Sequence, residues 1–271
     1  MIAQSICPAW ASIRHPVIGM VHLPPLPGAP GYTGDLPALV ASAVRDARAL
    51  AEGGIDGVMI ENFGDVPFYQ DRVPAETVAA ITRAASAVHD VIDLPLGINV
   101  LRNDALSAVA VAVAVGASFI RVNVLSGAAV TDQGVIEGRA AELARLRQRL
   151  GAESVRVFAD VRVKHAAPLV ERPIDDEVEE LLLRGGADAV IASGTGTGKP
   201  TDAEHLACVK QAAGDSAVFV GSGAGLDTAA ALLRDADGLI VGTSLKQDGR
   251  VGRPVDPDRV RALMEHVRGL G

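Results

Sequence analysis

Aromatic residues are scarce, at 3% of the 271 positions, although hydrophobic residues as a whole reach 49%. Proteins that bind single-stranded nucleic acids stack the bases on aromatic side chains, so this scarcity argues against such a platform. It also predicts an interior filled by Ala, Val, Ile and Leu. Charged residues make up 21%, which is typical of a globular rather than a disordered chain.

Cysteine and excess positive charge are also lacking. The two cysteines, Cys7 and Cys208, show no metal-binding spacing, which argues against a disulfide framework and favours the reducing cytoplasm. The formal net charge of −8 disfavours nucleic acids and anionic membranes as partners.

Long hydrophobic runs are absent as well. The longest, Ala105 to Val115, is about half the length that spans a membrane, and the first 16 residues do not form a signal peptide. We therefore expect a soluble cytoplasmic protein with no transmembrane segment and no nucleic-acid partner.

Four segments repeat one pattern, in which a helix-ending Gly or Asp leads through a tight turn into a short apolar strand. They are GGIDGVMIEN (53–62), VGASFIRVN (115–123), GGADAVIASG (185–194) and DADGLIVGTS (235–244). Four more strands interleave with them: VIGMVH (17–22), LPLGINV (94–100), VRVFADV (155–161) and AVFVGSG (217–223). Continuous apolar strands are typical of parallel sheets buried on both faces.

Helices are predicted between the strands, and several have recognisable starts. Thr201 with Glu204 forms a capping box, Asp256 precedes a proline at the first helical position, and Asn103 or Asp104 can cap the third helix. The predicted helices span 36–52, 75–90, 104–115, 138–150, 175–184, 202–213, 227–234 and 257–267.

Eight strands, each followed by a helix, predict an α/β protein with the (β/α)8 TIM-barrel fold. We expect one domain over residues 1–271, with 1–16 as an N-terminal extension. A doubly wound open sheet is the alternative, but the strict eightfold alternation favours a closed barrel. We also expect a homo-oligomer, because barrels often self-associate through their helices.

Active sites in such barrels lie at the C-terminal ends of the strands. All eight predicted ends are polar or glycine, which places the chemistry at one mouth. The residues at these ends are His22, Glu61, Asn62, Asn99, Arg121, Asn123, Asp160, Ser193, Gly221, Ser222, Gly223, Gly242, Thr243 and Ser244.

The loops after the last two strands predict a phosphate site. They hold the Gly221-Ser222-Gly223 and Gly242-Thr243-Ser244 trios. Glycines let the backbone approach an anion so that successive amides point at it, and these two loops frequently bind phosphate in TIM barrels. Two ordinary turns are the alternative interpretation. Lys246 either reaches the phosphate or is a solvated surface lysine.

The segment SGTGTGKP, at 193–200, resembles a nucleotide-binding P-loop. It lacks the first glycine and the final Ser or Thr of that motif, so we do not expect nucleotide hydrolysis there. We interpret it as a mobile lid in which Ser193 or Thr195 touches ligand. A merely flexible loop is the alternative.

Glu61 is the first candidate for a general acid or base, because a carboxylate at a barrel mouth is partly desolvated. Alternatively, it forms a structural ion pair with Arg121 or Lys164. Asp160 and His22 are further candidate catalytic residues. For His22, a hydrogen bond to a neighbouring strand is the alternative role.

Lys164 is the remaining candidate catalytic residue. Its alternative roles are those of an electrophile, a phosphate ligand and a Schiff-base nucleophile. Asn99, Arg121 and Asn123 are predicted to bind or polarise the substrate. Arg121 suits a carboxylate or a second phosphate, although it can equally balance Glu61.

No spacing of potential ligands in the sequence indicates a metal site. His22, Glu61, Asp160 and His165 can in principle hold a divalent ion, but His165 is interpreted as an ordinary loop histidine. We therefore predict neither a metal nor a cofactor.

Six ordered stretches resemble the BtpA family, also called the BtpA/SgcQ family, from about residue 17 to the end. They are GMVHLPPLPG (19–28), GGIDGVMIENFGDVPF (53–68), LGINVLRNDA (96–105), FIRVNVLSGAAVTDQGVIEG (119–138), FADVRVKHA (158–166) and IVGTSLKQDG (240–249).

The resemblance implies a TIM-type barrel related to the ribulose-phosphate-binding barrels that hold sugar phosphates, and it implies no settled reaction. The family name comes from photosystem I biogenesis in cyanobacteria. The leading hypothesis is an enzyme acting on a small phosphorylated ligand, a sugar phosphate or nucleotide-like compound, by isomerase or lyase chemistry. A glycosidic-bond-cleaving hydrolase, a non-catalytic assembly or regulatory factor and a ligand-binding sensor are the alternatives.

Overall fold

The computed structural model describes residues 6–194 and 202–270, and these residues contain eleven strands. The strands are β1 (Val17–His22), β2 (Gly57–Glu61), β3 (Leu96–Asn99), β4 (Phe119–Val122), β5 (Ala128–Thr131), β6 (Gly134–Glu137), β7 (Arg156–Val161), β8 (Ala166–Pro168), β9 (Ala189–Ala192), β10 (Ala217–Val220) and β11 (Gly238–Val241).

Eight of these strands form a closed parallel barrel in the order β1-β2-β3-β4-β7-β9-β10-β11, with β11 paired back to β1. The predicted barrel is therefore confirmed. An open sheet is excluded because each of the eight strands pairs with two neighbours, which leaves no edge strand. The eight barrel strands are those predicted from the sequence.

Helices follow the barrel strands and pack against their outer faces. They are α1 (Leu36–Glu52), α2 (Ala75–His89), α3 (Ala105–Val115), α4 (Ala140–Arg149), α5 (Ile174–Glu179), α6 (Ala203–Ala213), α7 (Ala229–Leu232) and α8 (Pro257–Arg268). A π-helical turn, Glu180–Arg184, continues α5. No helix in the two described ranges combines the length and hydropathy that crossing a bilayer requires.

Side chains alternate between two apolar layers along each strand. One layer joins the strands to the helices and includes Val21, Ile60 and Ile120; the other fills the barrel and includes Met59 and Phe119. This period-two alternation follows from strand geometry. It decides which residues at the strand ends point into the mouth.

The floor of the barrel is aromatic, contrary to the expectation of an aliphatic interior. Trp10 is fully buried, and its ring centroid lies 6.0 Å from those of Phe119 and Phe219 and 6.5 Å from that of Phe158. The Trp10 indole N–H donates to the Asp56 carbonyl at 2.8 Å. The described part of the N-terminal extension thus closes the barrel from below.

An accessory sheet, which the sequence did not predict, consists of β5, β6 and β8 in antiparallel order β6-β5-β8. It joins the long loop after β4 to the loop after β7. Its strands have three or four residues, nearly all of them exposed or half-buried, so they lack the continuous apolar pattern of the barrel strands.

Helix capping agrees with the sequence at two of three predicted positions. Asp104 caps α3 by accepting from the Ser107 amide at 2.9 Å, and Asp256 caps α8. The α6 cap is Asp202, which accepts from the His205 amide. Thr201, predicted for that position, lies outside the described residues.

Candidate active site at the barrel mouth

The residues predicted at the strand ends converge on one mouth. Glu61 has the same strand parity as the inward-facing Met59, and Arg121 has that of Phe119. A cavity of about 620 Å³ opens there. Its lining includes His22, Glu61, Arg121, Lys164, Ser222, Thr243 and Ser244.

Glu61 is held by an amide and lies beside an imidazole. The Asn99 side-chain N–H donates to Glu61 Oε2 at 2.5 Å, and His22 Nε2 lies 3.9 Å from Glu61 Oε1. The expected ion pair of Glu61 with Arg121 or Lys164 does not form among the described residues, because Arg121 is engaged elsewhere. Glu61 is 4% exposed and faces the cavity, which leaves Oε1 available to a ligand.

His22 is neutral at physiological pH. Burial, followed by the positive charges of Lys246 and Lys164, lowers its pKa to about 3. Its Nδ1 is buried with no hydrogen-bond partner among the described residues, and its ring lies 4.8 Å from that of Phe63. A neutral imidazole can donate a hydrogen bond from one ring nitrogen and accept one at the other.

Arg121 and Asp160 form a buried bidentate ion pair. Arg121 Nε and Nη2 each donate to the Asp160 carboxylate at 2.8 Å, and Asn123 and Ser193 donate to it at 2.9 and 2.8 Å. Burial opposes the charged guanidinium, but Asp160 and, more weakly, Glu61 outweigh that effect and raise the pKa of Arg121. The four donors occupy the Asp160 oxygens and leave them little capacity to accept a proton from substrate.

Lys164 presents a desolvated amine to the cavity. Its ammonium has no ion pair within 4 Å among residues 6–194 and 202–270. Burial and the nearby Arg121 charge lower its pKa, against smaller opposing effects of Glu61 and Asp160. The geometry therefore meets the desolvation that an electrophilic or Schiff-base lysine requires.

The two glycine-rich loops line the same cavity. Within the described chain, the amides of Gly223, Ala224, Thr243 and Ser244 donate to no acceptor. The two loops are joined because the Ser244 hydroxyl donates to the Ala224 carbonyl at 2.7 Å. Unsatisfied amides that face a common cavity suit an anion.

Close packing explains two glycines of these loops. A Cβ on Gly242 would lie 2.9 Å from His22 Cε1, and one on Gly221 would lie 2.5 Å from an Ile191 methyl and 3.2 Å from Arg121 Nη2. The glycines therefore allow the two glycine-rich loops to contact the candidate catalytic side chains.

Lys246 is neither a phosphate ligand nor a solvated surface residue, and both expectations were wrong. It is 1% exposed, and its ammonium donates to Asp46 Oδ2 on α1 at 2.7 Å. Its backbone amide donates to the Thr243 carbonyl. The ion pair thus fastens the turn after β11 to the outer helical layer.

The residues considered for a metal do not gather around one point. His165 is exposed in the loop after β7, and the Asp160 oxygens are occupied by protein donors. In the described ranges, no three His, Cys, Asp or Glu side chains form a metal-binding group. Of the 193–200 segment, only Ser193 and Gly194 are described, so the predicted lid and Thr195 lie outside the described residues.

Two arginines near the mouth were not predicted as site residues. Arg259, at the start of α8, lines the cavity and donates to the Ser244 carbonyl at 3.3 Å. Arg102, after β3, crosses to the Lys164 carbonyl at 2.6 Å. No motif marks Arg259, whereas Arg102 follows the polar end of β3 at Asn99 by three residues.

The closed parallel barrel, with all of its polar strand ends at one mouth, defines the class of this protein as a (β/α)8 barrel. Within that class the chain belongs to the BtpA family, whose model matches residues 13–269.

Relatives of high identity cover nearly the whole chain. An uncharacterized protein of Thermococcus kodakarensis is 51% identical, covering 95% of this chain and 97% of that protein. The photosystem I biogenesis protein BtpA of Synechocystis is 47% identical, covering 93% and 88% respectively. The sgc region protein SgcQ of Escherichia coli is 34% identical, covering 94% of each.

Solved structures of similar fold are enzymes of low sequence identity. A Mycobacterium tuberculosis tryptophan synthase chain has a TM-score of 0.62 at 19% identity, covering 100% of this chain and 99% of that one. The N-(5'-phosphoribosyl)anthranilate isomerase of Pyrococcus furiosus has a TM-score of 0.56 at 13% identity, covering 94% and 100%. At these identities the likeness supports the barrel fold alone.

Proposed function

We propose that this BtpA-family barrel is an enzyme that acts on a small phosphorylated metabolite by acid/base chemistry of the isomerase or lyase type. The observation that carries the proposal is the shared cavity. Its lining includes the unsatisfied amides of the two glycine-rich loops together with Glu61, His22 and Lys164. A phosphate held by those amides places the rest of a small molecule beside these side chains.

The proposed roles follow from the contacts. Glu61 accepts the proton from a carbon beside a carbonyl, and Asn99 orients the Glu61 carboxylate. Neutral His22 donates a hydrogen bond to the developing oxyanion. Lys164 polarises the carbonyl oxygen. Ser222, Thr243 and Ser244 belong to the phosphate seat.

Asp160 receives a different role from the one expected for it. Its oxygens accept from Arg121, Asn123 and Ser193, so we assign it to positioning Arg121 rather than to proton transfer. The same geometry weakens the glycosidase alternative, which needs two available carboxyl groups.

A non-catalytic assembly or regulatory role is the second candidate. It is favoured by the 47% identical relative that is named as a photosystem I biogenesis protein. Against it stands the array of polar side chains in the cavity, which an assembly factor does not need.

Phosphate binding is tested by thermal-shift titration with inorganic phosphate and a panel of sugar phosphates. We expect stabilisation of the native protein, and a loss of at least about tenfold in affinity for Thr243→Asp, because the new carboxylate repels the anion. The matched Thr243→Asn variant has nearly the same size without the charge and should bind nearly as the native protein does. Phosphate stabilisation that is unchanged in Thr243→Asp would place the seat elsewhere.

Catalysis is tested with the sugar phosphates that bind. In D2O, NMR should show solvent deuterium entering a carbon next to a carbonyl group with the native protein. Glu61→Gln should abolish that exchange while it preserves binding, because the amide keeps the shape but cannot accept the proton. Binding without exchange in the native protein would favour the non-catalytic candidate.

Borohydride trapping separates the two uses of the Lys164 amine. A Schiff base between Lys164 and a carbonyl ligand would be trapped covalently in the native protein and not in the Lys164→Arg control, whereas an electrostatic role gives no trapped product in either.

A further inference from the structure

Arg102 is a buried cation without a counter-ion. It is 4% exposed, and among the described residues no carboxylate oxygen lies within 4 Å of its guanidinium. Its Nη2 donates a hydrogen bond to the Lys164 carbonyl. Buried charges in proteins are normally paired, and the undescribed stretch 195–201 contains no acidic residue.

Arg102 lies next to Lys164, which lines the cavity. It follows β3, and its side chain reaches the loop after β7, so it crosses the end of the intervening strand β4. Arg121 lies at that strand end, but Asp160 already satisfies its Nε and Nη2. The free donors are therefore those of Arg102 and Lys164, and not those of Arg121 as the sequence suggested.

Arg102 and Lys164 are neighbouring cations, and neither has an ion pair within 4 Å among the described residues. Burial lowers the pKa of Arg102, against opposing effects of the more distant carboxylates of Asp160, Glu61 and Asp132, but an arginine stays protonated in proteins. Two neighbouring cationic donors suit one anionic group that has two oxygens.

We propose that Arg102 and Lys164 bind a carboxylate of the substrate, across the mouth from the phosphate seat, so that the substrate is a phosphorylated carboxylic acid. This inference rests on the proposed phosphate site. The guanidinium fork of Arg102 suits the two oxygens of a carboxylate. Lys164, which polarises the carbonyl oxygen in the proposed function, also adds a positive charge beside this carboxylate.

The test uses matched pairs of ligands. Phosphorylated aldonic acids of three to six carbons are compared by calorimetry with the alditol phosphates of the same length, in which a neutral hydroxymethyl group replaces the carboxylate. We expect the aldonate of one pair to bind at least about tenfold more tightly, as for charge-assisted hydrogen bonds.

Variants test whether Arg102 causes the preference for aldonates. Arg102→Met should remove the aldonate preference while it leaves the affinity for inorganic phosphate and for the alditol phosphate within about twofold. Arg102→Lys should restore part of the preference. Exposed Arg149→Met on α4 is the control and should change none of these affinities. If Arg102→Met does not fold, Lys164→Met should reduce the same preference.

The outcomes separate this inference from the proposed function. Failure of inorganic phosphate to bind removes the phosphate seat and the inference with it. Phosphate binding with equal affinities in every pair, or with neither member of any pair bound, overturns the carboxylate site alone. Tighter binding of alditol bisphosphates than of aldonate phosphates would assign the second anion as a phosphate and overturn the proposal of a carboxylate.

Discussion

His22 is a titratable side chain that the fold keeps neutral. Burial and the neighbouring lysines lower its pKa to about 3, whereas an unfolded histidine has a pKa near 6.5. Between these values the unfolded chain binds a proton that the folded protein does not. The free energy of unfolding therefore falls as the pH drops through this window.

This linkage predicts an acid-sensitive fold. Because of His22, the free energy of unfolding should fall by about 3 kcal/mol from pH 7 to pH 4. Urea unfolding of His22→Asn should show a correspondingly weaker dependence on pH. His89→Asn, at an exposed position of α2, should behave as the native protein does. The hypothesis fails if the free energy of unfolding of His22→Asn falls with decreasing pH as steeply as that of the native protein.

The buried ion pair of Lys246 and Asp46 makes a second prediction at the residue scale. Lys246→Met leaves the Asp46 carboxylate buried without its counter-ion and should lower the free energy of unfolding by about 3–5 kcal/mol. The double variant Asp46→Leu/Lys246→Met should recover most of that loss. Denaturant unfolding of both proteins measures the difference.

Arg45 provides the control for this pair. Its side chain is 59% exposed and lies 3.7 Å from Asp46 Oδ1, so Arg45→Met should cost less than about 1 kcal/mol. Equal stability losses in Lys246→Met and Arg45→Met would contradict the assigned role of Lys246.

At the scale of the elements, α3 depends on a cap that also secures a loop. Asp104 accepts from the Ser107 amide and hydroxyl at 2.9 and 2.6 Å, and from the Val73 amide at 3.0 Å. It is 2% exposed. The cap therefore joins the start of α3 to the segment that enters α2.

Asp104→Ala should lower the free energy of unfolding by about 2–3 kcal/mol, because it removes a cap and leaves a buried amide unsatisfied. Asp35, the exposed cap of α1 that accepts from the Ala38 amide, is the matched control, and Asp35→Ala should cost about 1 kcal/mol. Chemical denaturation of the two variants compares them. Equal losses would show that the contact with Val73 contributes nothing.

On the scale of the whole molecule, Trp10 links the N-terminal segment to the barrel floor. Trp10→Ala should cost about 3–5 kcal/mol, which lowers the Tm by about 10 °C for a chain of this size. Trp10→Phe should lose less, because a ring still packs against Phe119 and Phe219. A Tm within 2 °C of the native value for Trp10→Ala, on the same scale, would show that the floor closes without Trp10.

Much of the fold was readable from the sequence because it is encoded locally. Apolar runs, helix-ending glycines and capping residues such as Asp104 and Asp256 act over a few positions, and eightfold repetition predicted closure. Strand parity could also have shown that Glu61, Arg121 and Asp160 face inward. The accessory sheet was missed because its short, exposed strands have no such pattern.

The sequence by itself determined the barrel, the mouth and the residue types gathered there. Only the tertiary structure decided which charges pair: Asp160 pairs with Arg121, and Asp46 pairs with Lys246 from 200 positions away. No carboxylate in the described part of the chain pairs with Arg102. Local patterns set backbone conformation through short-range sterics and hydrogen bonds. Pairing of buried charges depends on distances and desolvation between segments remote in the chain, which exist only once the barrel has closed.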